Sequence, residues 1–238
     1  MTDRETRLTD TFVTLADTLV RDFDLTDLFH TLATTCVSML DVTAAGILLA
    51  GPSETLQVVA SSEERMRLLE LYELQNEQGP CTDCFRSGRA VHEPDLQSTQ
   101  RWPLFTARAI EEGFASVDAI PLRLRDTRLG ALNLFKEAPG GLPEGDRRVA
   151  QALADVAAIG LLQERAVRES QLLAEQLQHA LNSRVTIEQA KGILAEQGEL
   201  SVVDAFERLR SHARATSTHA GEVADLIIQG VLTIDDLH

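Results

Sequence analysis

The chain has 238 residues, 44% of them apolar and 25% charged, enough for one large or two modest globular units with a buried core. Its net charge of −15 excludes a protein that coats nucleic acid by bulk electrostatics, so any nucleic-acid contact must be local. An odd count of three cysteines speaks against a disulfide framework, and no apolar run reaches the roughly 18 to 20 residues of a membrane span, so the reading is cytoplasmic with no membrane partner.

Helical periodicity opens the chain. Phe12, Leu15 and Leu19 mark one amphipathic helix, and Leu25, Leu28, Leu32, Cys36 and Leu40, three and four apart, mark a second. Strand-like runs follow at Ala45 to Ala50 and Leu56 to Ser61, separated by the turn Gly51-Pro52-Ser53. A helix over Glu63 to Gln75 leads into a loop at Gly79-Pro80. Further strands are predicted at Ala90 to Glu93, Ala115 to Leu124 and Leu129 to Glu137, the last two joined by Arg125-Asp126-Thr127-Arg128, a connection of hairpin length. Strands flanked by helices predict an α+β unit built on a central antiparallel sheet.

From Pro143-Glu144-Gly145-Asp146 the pattern becomes one long helix, with proline and acidic residues where a helix N-terminus favours them. A heptad repeat runs through Val149, Ala152, Val156, Ile159, Gln163, Ala166, Ser170, Leu173, Leu177, Ala180, Arg184, Ile187, Lys191 and Leu194. Val149 to Ile159 either pack on the unit's own sheet or meet a partner. Beyond Glu164 no sheet is left to cover the seam, so Leu173 and Leu177 are assigned to dimerisation through a parallel coiled coil. Gly198 suits a helix stop, Ser201 with Asp204 reads as a capping box for Val202 to Arg214, and Thr216-Ser217-Thr218 is expected to cap a last helix over Glu222 to Val231. Leu181, Ile187, Leu194, Phe206, Leu209, Val223 and Ile227 are the expected core of this three-helix end.

No nucleophile elbow, Walker A loop, H-E-x-x-H or dinucleotide fingerprint occurs, and the carboxylates scatter as on a solvated surface, so the chain reads as a non-enzyme with no catalytic residues, no metal site and no predicted cofactor. The six histidines show no ligand spacing. Cys81 and Cys84 have the spacing of a redox pair, against which stands the plainer reading of small buried thiols. Gly192 interrupts a helical stretch where glycine is disfavoured by roughly 1 kcal/mol relative to alanine, either for a tight helix crossing or for close approach of a ligand to the backbone. Phe206, Arg210 and Arg214, four apart, share one helix face; the arginines are candidate nucleic-acid contacts, and Phe206 either stacks a base or enters the core.

Ala180-Leu181, Ser183-Arg184, Ile187 through Leu194, Ala205-Phe206 with Leu209-Arg210, and Val223-Ala224 together resemble an ANTAR domain, the RNA-binding antitermination module of bacterial signalling proteins, over about Leu173 to Val231. Ser217 and His219 depart from the pattern, standing where the family commonly carries Asn and Lys before its third helix. Gly79-Pro80-Cys81, Phe85 with Gly88-Arg89, Pro94-Asp95-Leu96, Arg101-Trp102-Pro103, Pro121-Leu122 and Leu129 through Leu134 resemble a GAF domain of the type paired with ANTAR in actinobacterial proteins, over about Thr11 to Leu162.

The resemblance implies a GAF sensor domain over 11–162, a coiled-coil linker helix over 163–176 and an ANTAR domain over 177–234. It implies a homodimeric antitermination regulator whose RNA partner is a pair of hairpins with six-base loops in a nascent leader transcript. A small-molecule GAF ligand of unnamed identity is a further expected partner. Arg184, Ala190, Lys191, Gly192, Arg210 and Arg214 are the expected RNA-binding residues. The rival expectation, favoured by the acidic total, is a small-molecule or redox sensor whose C-terminal helices bind a protein.

Overall fold

The computed structural model describes residues 3–20, 24–51 and 53–237. Pro52 of the expected turn and His238 lie outside the described residues, as do the side chains of Leu19 and Ala180. The chain forms two compact units, one up to Arg165 and one from Ala166 onward.

In the first unit, helices α1 (Asp3–Val20) and α2 (Leu25–Met39) precede β1 (Ala44–Ala50) and β2 (Leu56–Ser61). Asp24 caps α2 by accepting a 2.6 Å hydrogen bond from the Thr26 amide. Then come α3 (Glu64–Asn76), α4 (Pro80–Ser87), β3 (Val91–Glu93), α5 (Pro103–Glu111), β4 (Ser116–Leu124) and β5 (Thr127–Lys136). The five strands pair antiparallel in the order β2-β1-β5-β4-β3.

Both faces of the sheet are covered, which explains why β1 reads as the unbroken apolar run Ala44 to Ala50 rather than as an alternation. Ala45, Ile47, Ile120, Leu122, Leu132 and Leu134 point to one core with α2 and the start of α6 (Glu144–Gly198). Ala44, Leu48, Val117, Ala119, Ala131 and Phe135 point to the other, with α3, α4 and α5. Two helices escaped the sequence reading. Pro80 and Pro103 look like loop punctuation, yet each occupies the first turn of a helix, where its missing amide proton is no loss.

Asp118, on β4 and almost fully buried, fixes the approach to α6: its Oδ2 accepts from the Leu142 amide at 2.9 Å and its Oδ1 meets His92 Nδ1 at 2.6 Å. The helix then runs for 55 residues. Ala150, Leu153, Ala154, Ala157, Ala158 and Leu161 seat its first turns on the sheet with Val149 and Val156 partly buried beside them, so those heptad positions serve the chain's own core. Ile159, half exposed, does not.

The second unit comprises the remainder of α6, α7 (Val202–Ala215), α8 (Ala220–Ile228) and a short 3-10 turn (Ile234–Asp236). The left-handed residue after α6 is Glu199 (φ 49°) rather than Gly198, which is the helix's last residue. Ser201 caps α7 as expected, its Oγ accepting from the Asp204 amide at 3.1 Å. For α8 the capping position is His219, not the threonine-rich turn. Ala190, Leu194, Ala205, Leu209, Ala213, Val223, Ala224, Ile227 and Leu237 form the core. Leu181, expected there, is 59% exposed, because α8 meets this turn of α6 along the face of Asn182, Ser183 and Thr186 and Leu181 lies off that face. Phe206 is also outside that core and only half buried.

Candidate nucleic-acid interface

The expected cations occupy different environments. Lys191 turns inward: its Nζ lies 3.0 and 2.9 Å from the two Glu188 carboxylate oxygens and 5.2 Å from the centre of the Phe206 ring on α7, leaving its side chain 15% exposed. A cation over an aromatic face and beside a carboxylate is held from both sides. Arg184, Arg210 and Arg214 are exposed, and among the described residues none of their three side chains makes an ion pair or hydrogen bond.

Arg210 and Arg214 line a 350 Å³ cleft with Ala213, Ser217, Thr218, His219 and Ala220, where the end of α7 meets the start of α8. Arg214 suits the C-terminal turn of α7, whose unpaired carbonyls favour positive charge. Ser217 and His219, the two departures from the ANTAR pattern, therefore sit in the same cleft as the two free arginines. His219 and Ala220 also border a 730 Å³ groove between α6 and α8, lined on α6 by His179, Asn182, Ser183 and Thr186. The helices come together there because α8 carries Gly221: a Cβ at that position would stand 2.7 Å from Ser183 Oγ.

Gly192 is exposed and a Cβ on it would meet nothing within 4 Å, so it is not the small residue of a helix crossing. Ala190 is a correction. It is fully buried among Leu194, Ala205 and Leu209, since the face of α6 that meets α7 and α8 runs through it, and a residue so placed packs the core instead of touching RNA.

Leu173 and Leu177 are 56% and 58% exposed, and every described side chain from Arg165 to His179 is exposed. Leu172, Leu181 and Val185 widen the apolar stripe.

In the first unit, Cys81 and Cys84 are free, buried thiols on α4. Burial pushes the Cys84 thiol up to about 12 and Cys81 well above its ordinary range, with the Glu73 carboxyl adding to both. The thiolate that redox chemistry needs is thereby suppressed. Serine at both positions is expected to leave RNA binding and oligomeric state unchanged, and to lower thermal stability modestly through two buried hydroxyls; a variant that lost an oxidant response shown by the parent would restore the redox assignment.

The carboxylates that sequence reading assigned to a solvated surface include two that are fully buried, Glu70 and Glu73. The signal was present: Met66, Leu69, Glu70 and Glu73 fall at three- and four-residue spacing, so both acids lie within the apolar face of α3. Glu73 Oε1 accepts from the Thr82 amide at 2.8 Å and from its hydroxyl at 3.2 Å, tying α3 to α4. Cys36, on α2, is likewise buried and pushed up to about 12.

Residues 24–162 match the GAF domain family and residues 175–228 match the ANTAR domain family. Among solved structures, the GAF domain of a phosphoenolpyruvate-protein phosphotransferase from Coxiella burnetii is similar (12% identity, 68% of this chain and 96% of that chain, TM-score 0.55). So is the corresponding GAF domain from Acinetobacter (13%, 68% and 98%, TM-score 0.53). A free methionine-R-sulfoxide reductase from Neisseria meningitidis, solved with its substrate, is 15% identical over 70% of this chain and 95% of its own, with a TM-score of 0.54. At such identities these likenesses concern the fold alone. No curated protein matches the chain.

Proposed function

The chain belongs to the GAF family and carries an ANTAR domain at its C-terminal end, and from that premise we propose that it is an antitermination regulator that binds paired hairpins in nascent leader RNA under control of its GAF unit. A GAF sensor joined to an ANTAR domain is the composition of a regulator, and the reading assigns it no catalysis. The observation that carries the RNA assignment is the cleft at the α7–α8 junction, where Arg210 and Arg214 stand exposed and free of ion pairs in a strongly acidic chain. Unneutralised arginines beside hydroxyl and imidazole groups suit a phosphate backbone and the edges of unstacked loop bases.

Arg184 adds a further exposed cation on α6, Gly192 offers bare backbone for close approach, and Lys191 sits over the Phe206 ring on α7. Two such surfaces, one per protomer, suit an RNA with two loops. The exposed Leu173 and Leu177 stripe supplies the seam of a coiled-coil homodimer over 163–176, between a sensor domain at 11–162 and an RNA-binding domain at 177–234. A small molecule held by the GAF unit completes the proposed regulator, which is cytoplasmic; no helix among the described residues is long and apolar enough to cross a membrane.

Filter binding of the full-length protein to a two-hairpin RNA tests this reading. Affinity should fall between low and moderate salt with a slope set by the few phosphates contacted, and a single-hairpin RNA should bind more weakly. Equal retention of a scrambled RNA of the same length would sink the RNA assignment and leave the protein-partner reading.

A further inference from the structure

We propose that the first unit is a proton-gated device: Glu70 and Glu73 hold α3 on the sheet only while they carry their protons, and ionisation releases the helix. Glu70 stands over Gly46 of β1, whose partner across the ladder is Asn133 of β5. Neither oxygen of Glu70 nor either polar atom of the buried Asn133 side chain meets a partner in hydrogen-bonding geometry, and Glu73 Oε2 is orphaned as well. Packing is tight on the glycine side: a Cβ on Gly46 would lie 2.3 Å from Glu70 Oε1, and one on Gly79 2.3 Å from Glu73 Cδ.

The groups around the pair offer only partial, neutral compensation: Asn133 beside Glu70, and the Thr82 hydroxyl with the Thr82 and Cys81 amides beside Glu73. On α3 the two carboxyls face each other; α4 brings Cys81, Cys84 and Asp83; β5 brings the neutral Asn133 and β1 only Gly46. None of these is a cation. A buried carboxylate without counter-charge is strongly unfavourable, and the few neutral donors here do not offset its burial, so the interior favours the protonated acids. Burial raises Glu73 to about 8 despite the Thr82 hydrogen bonds, and raises Glu70 well above the usual carboxylate range with the Glu73 charge adding to it.

The sign follows from linkage. An acid whose folded pKa lies above its unfolded value gives its full stability below the unfolded pKa, and that stability is lost as pH rises through the folded one. The window opens near the unperturbed glutamate range and extends to about 8 for Glu73, with Glu70 likewise raised well above the ordinary carboxylate range. Neutral pH therefore lies inside it. Because Glu73 Oε1 also holds the Thr82 amide, deprotonation puts charge at the joint between α3 and α4.

The test uses the full-length protein and its sole tryptophan, Trp102, which shares the apolar cluster of Met66 and Leu69. Between pH 6 and 9 its fluorescence melting temperature should fall by roughly 10 °C. Amides of α3 should gain exchange relative to those of α2 after correction for intrinsic rates. Glu70→Gln with Glu73→Gln should remove more than half of the pH dependence. Should that variant fail to fold, the exchange comparison on the parent decides, and equal loosening of α2 and α3 would overturn the proposal. An unchanged slope in the folded variant would overturn it too. So would recovery of the parent's melting temperature at pH 8 by magnesium, zinc or ammonium chloride that the variant does not share, because the orphaned oxygens would then be a cation site. None of these outcomes depends on whether the second unit binds RNA.

Discussion

Leu173→Asp combined with Leu177→Asp should dissociate the proposed homodimer, weakening self-association by at least about 100-fold. Both side chains are more than half exposed in the single chain, and no described residue from Arg165 to His179 is covered by its own unit. In a coiled-coil seam these positions are desolvated on both helices, so four carboxylates would be buried against one another, each at a penalty of several kcal/mol. In the isolated chain the same carboxylates would simply be hydrated. Light scattering at micromolar concentration should therefore give the monomer mass, with far-ultraviolet circular dichroism confirming that the helical units persist. A retained dimer mass would place the seam elsewhere on α6.

The second large effect concerns the proposed RNA surface. Arg210→Ala should weaken binding to the two-hairpin RNA by about 1 to 3 kcal/mol if the guanidinium reaches a loop base, or lower the salt slope by about one if it meets only phosphate. Arg210 is the cleaner probe because it is exposed and makes no ion pair whose loss would disturb the fold. Lys191→Glu should be more damaging still. It sets a carboxylate beside Glu188 and removes the ammonium from the Phe206 ring, altering the border of the surface as well as its charge. Lys191→Ala separates the two contributions: an ion pair between residues three apart on a helix contributes only about 0.3 to 0.5 kcal/mol to folding, so a larger loss of affinity would belong to the RNA contact. If a folded Lys191→Glu dimer and Arg210→Ala both bound like the parent, the second unit's partner would be a protein.

Much of the architecture was legible because it rests on periodicity. The heptads of α6, the apolar runs of β1, β4 and β5, and the Ser201 cap are local patterns. What stayed hidden depends on tertiary contact. The prolines opening α4 and α5 are indistinguishable from loop prolines until the following turns bury Cys84, Phe85 and Phe105. Ala190 lies in the most ANTAR-like stretch of the sequence, yet which face of that helix meets α7 and α8 is set by Leu194, Ala205 and Leu209 together. The same holds at the candidate surface. Arg210 and Arg214 were identifiable from spacing alone, whereas their meeting with Ser217 and His219 required the turn between α7 and α8. Glu70 and Glu73 were missed because a carboxylate defaults to solvent when counted, and only its place within an apolar stripe says otherwise.

The burial of Cys36, Cys81 and Cys84 makes this chain a quiet background for spectroscopy. Cys36 and Cys84 titrate near 12 and Cys81 higher than usual, so at neutral pH maleimides and methanethiosulfonates meet almost no native thiolate. One cysteine introduced at exposed Gln171 can then carry a nitroxide without removing any natural residue from the core. The distance distribution between two such labels would report the register of paired α6 helices, and its change with an added small molecule or with acidity would measure what the sensor transmits.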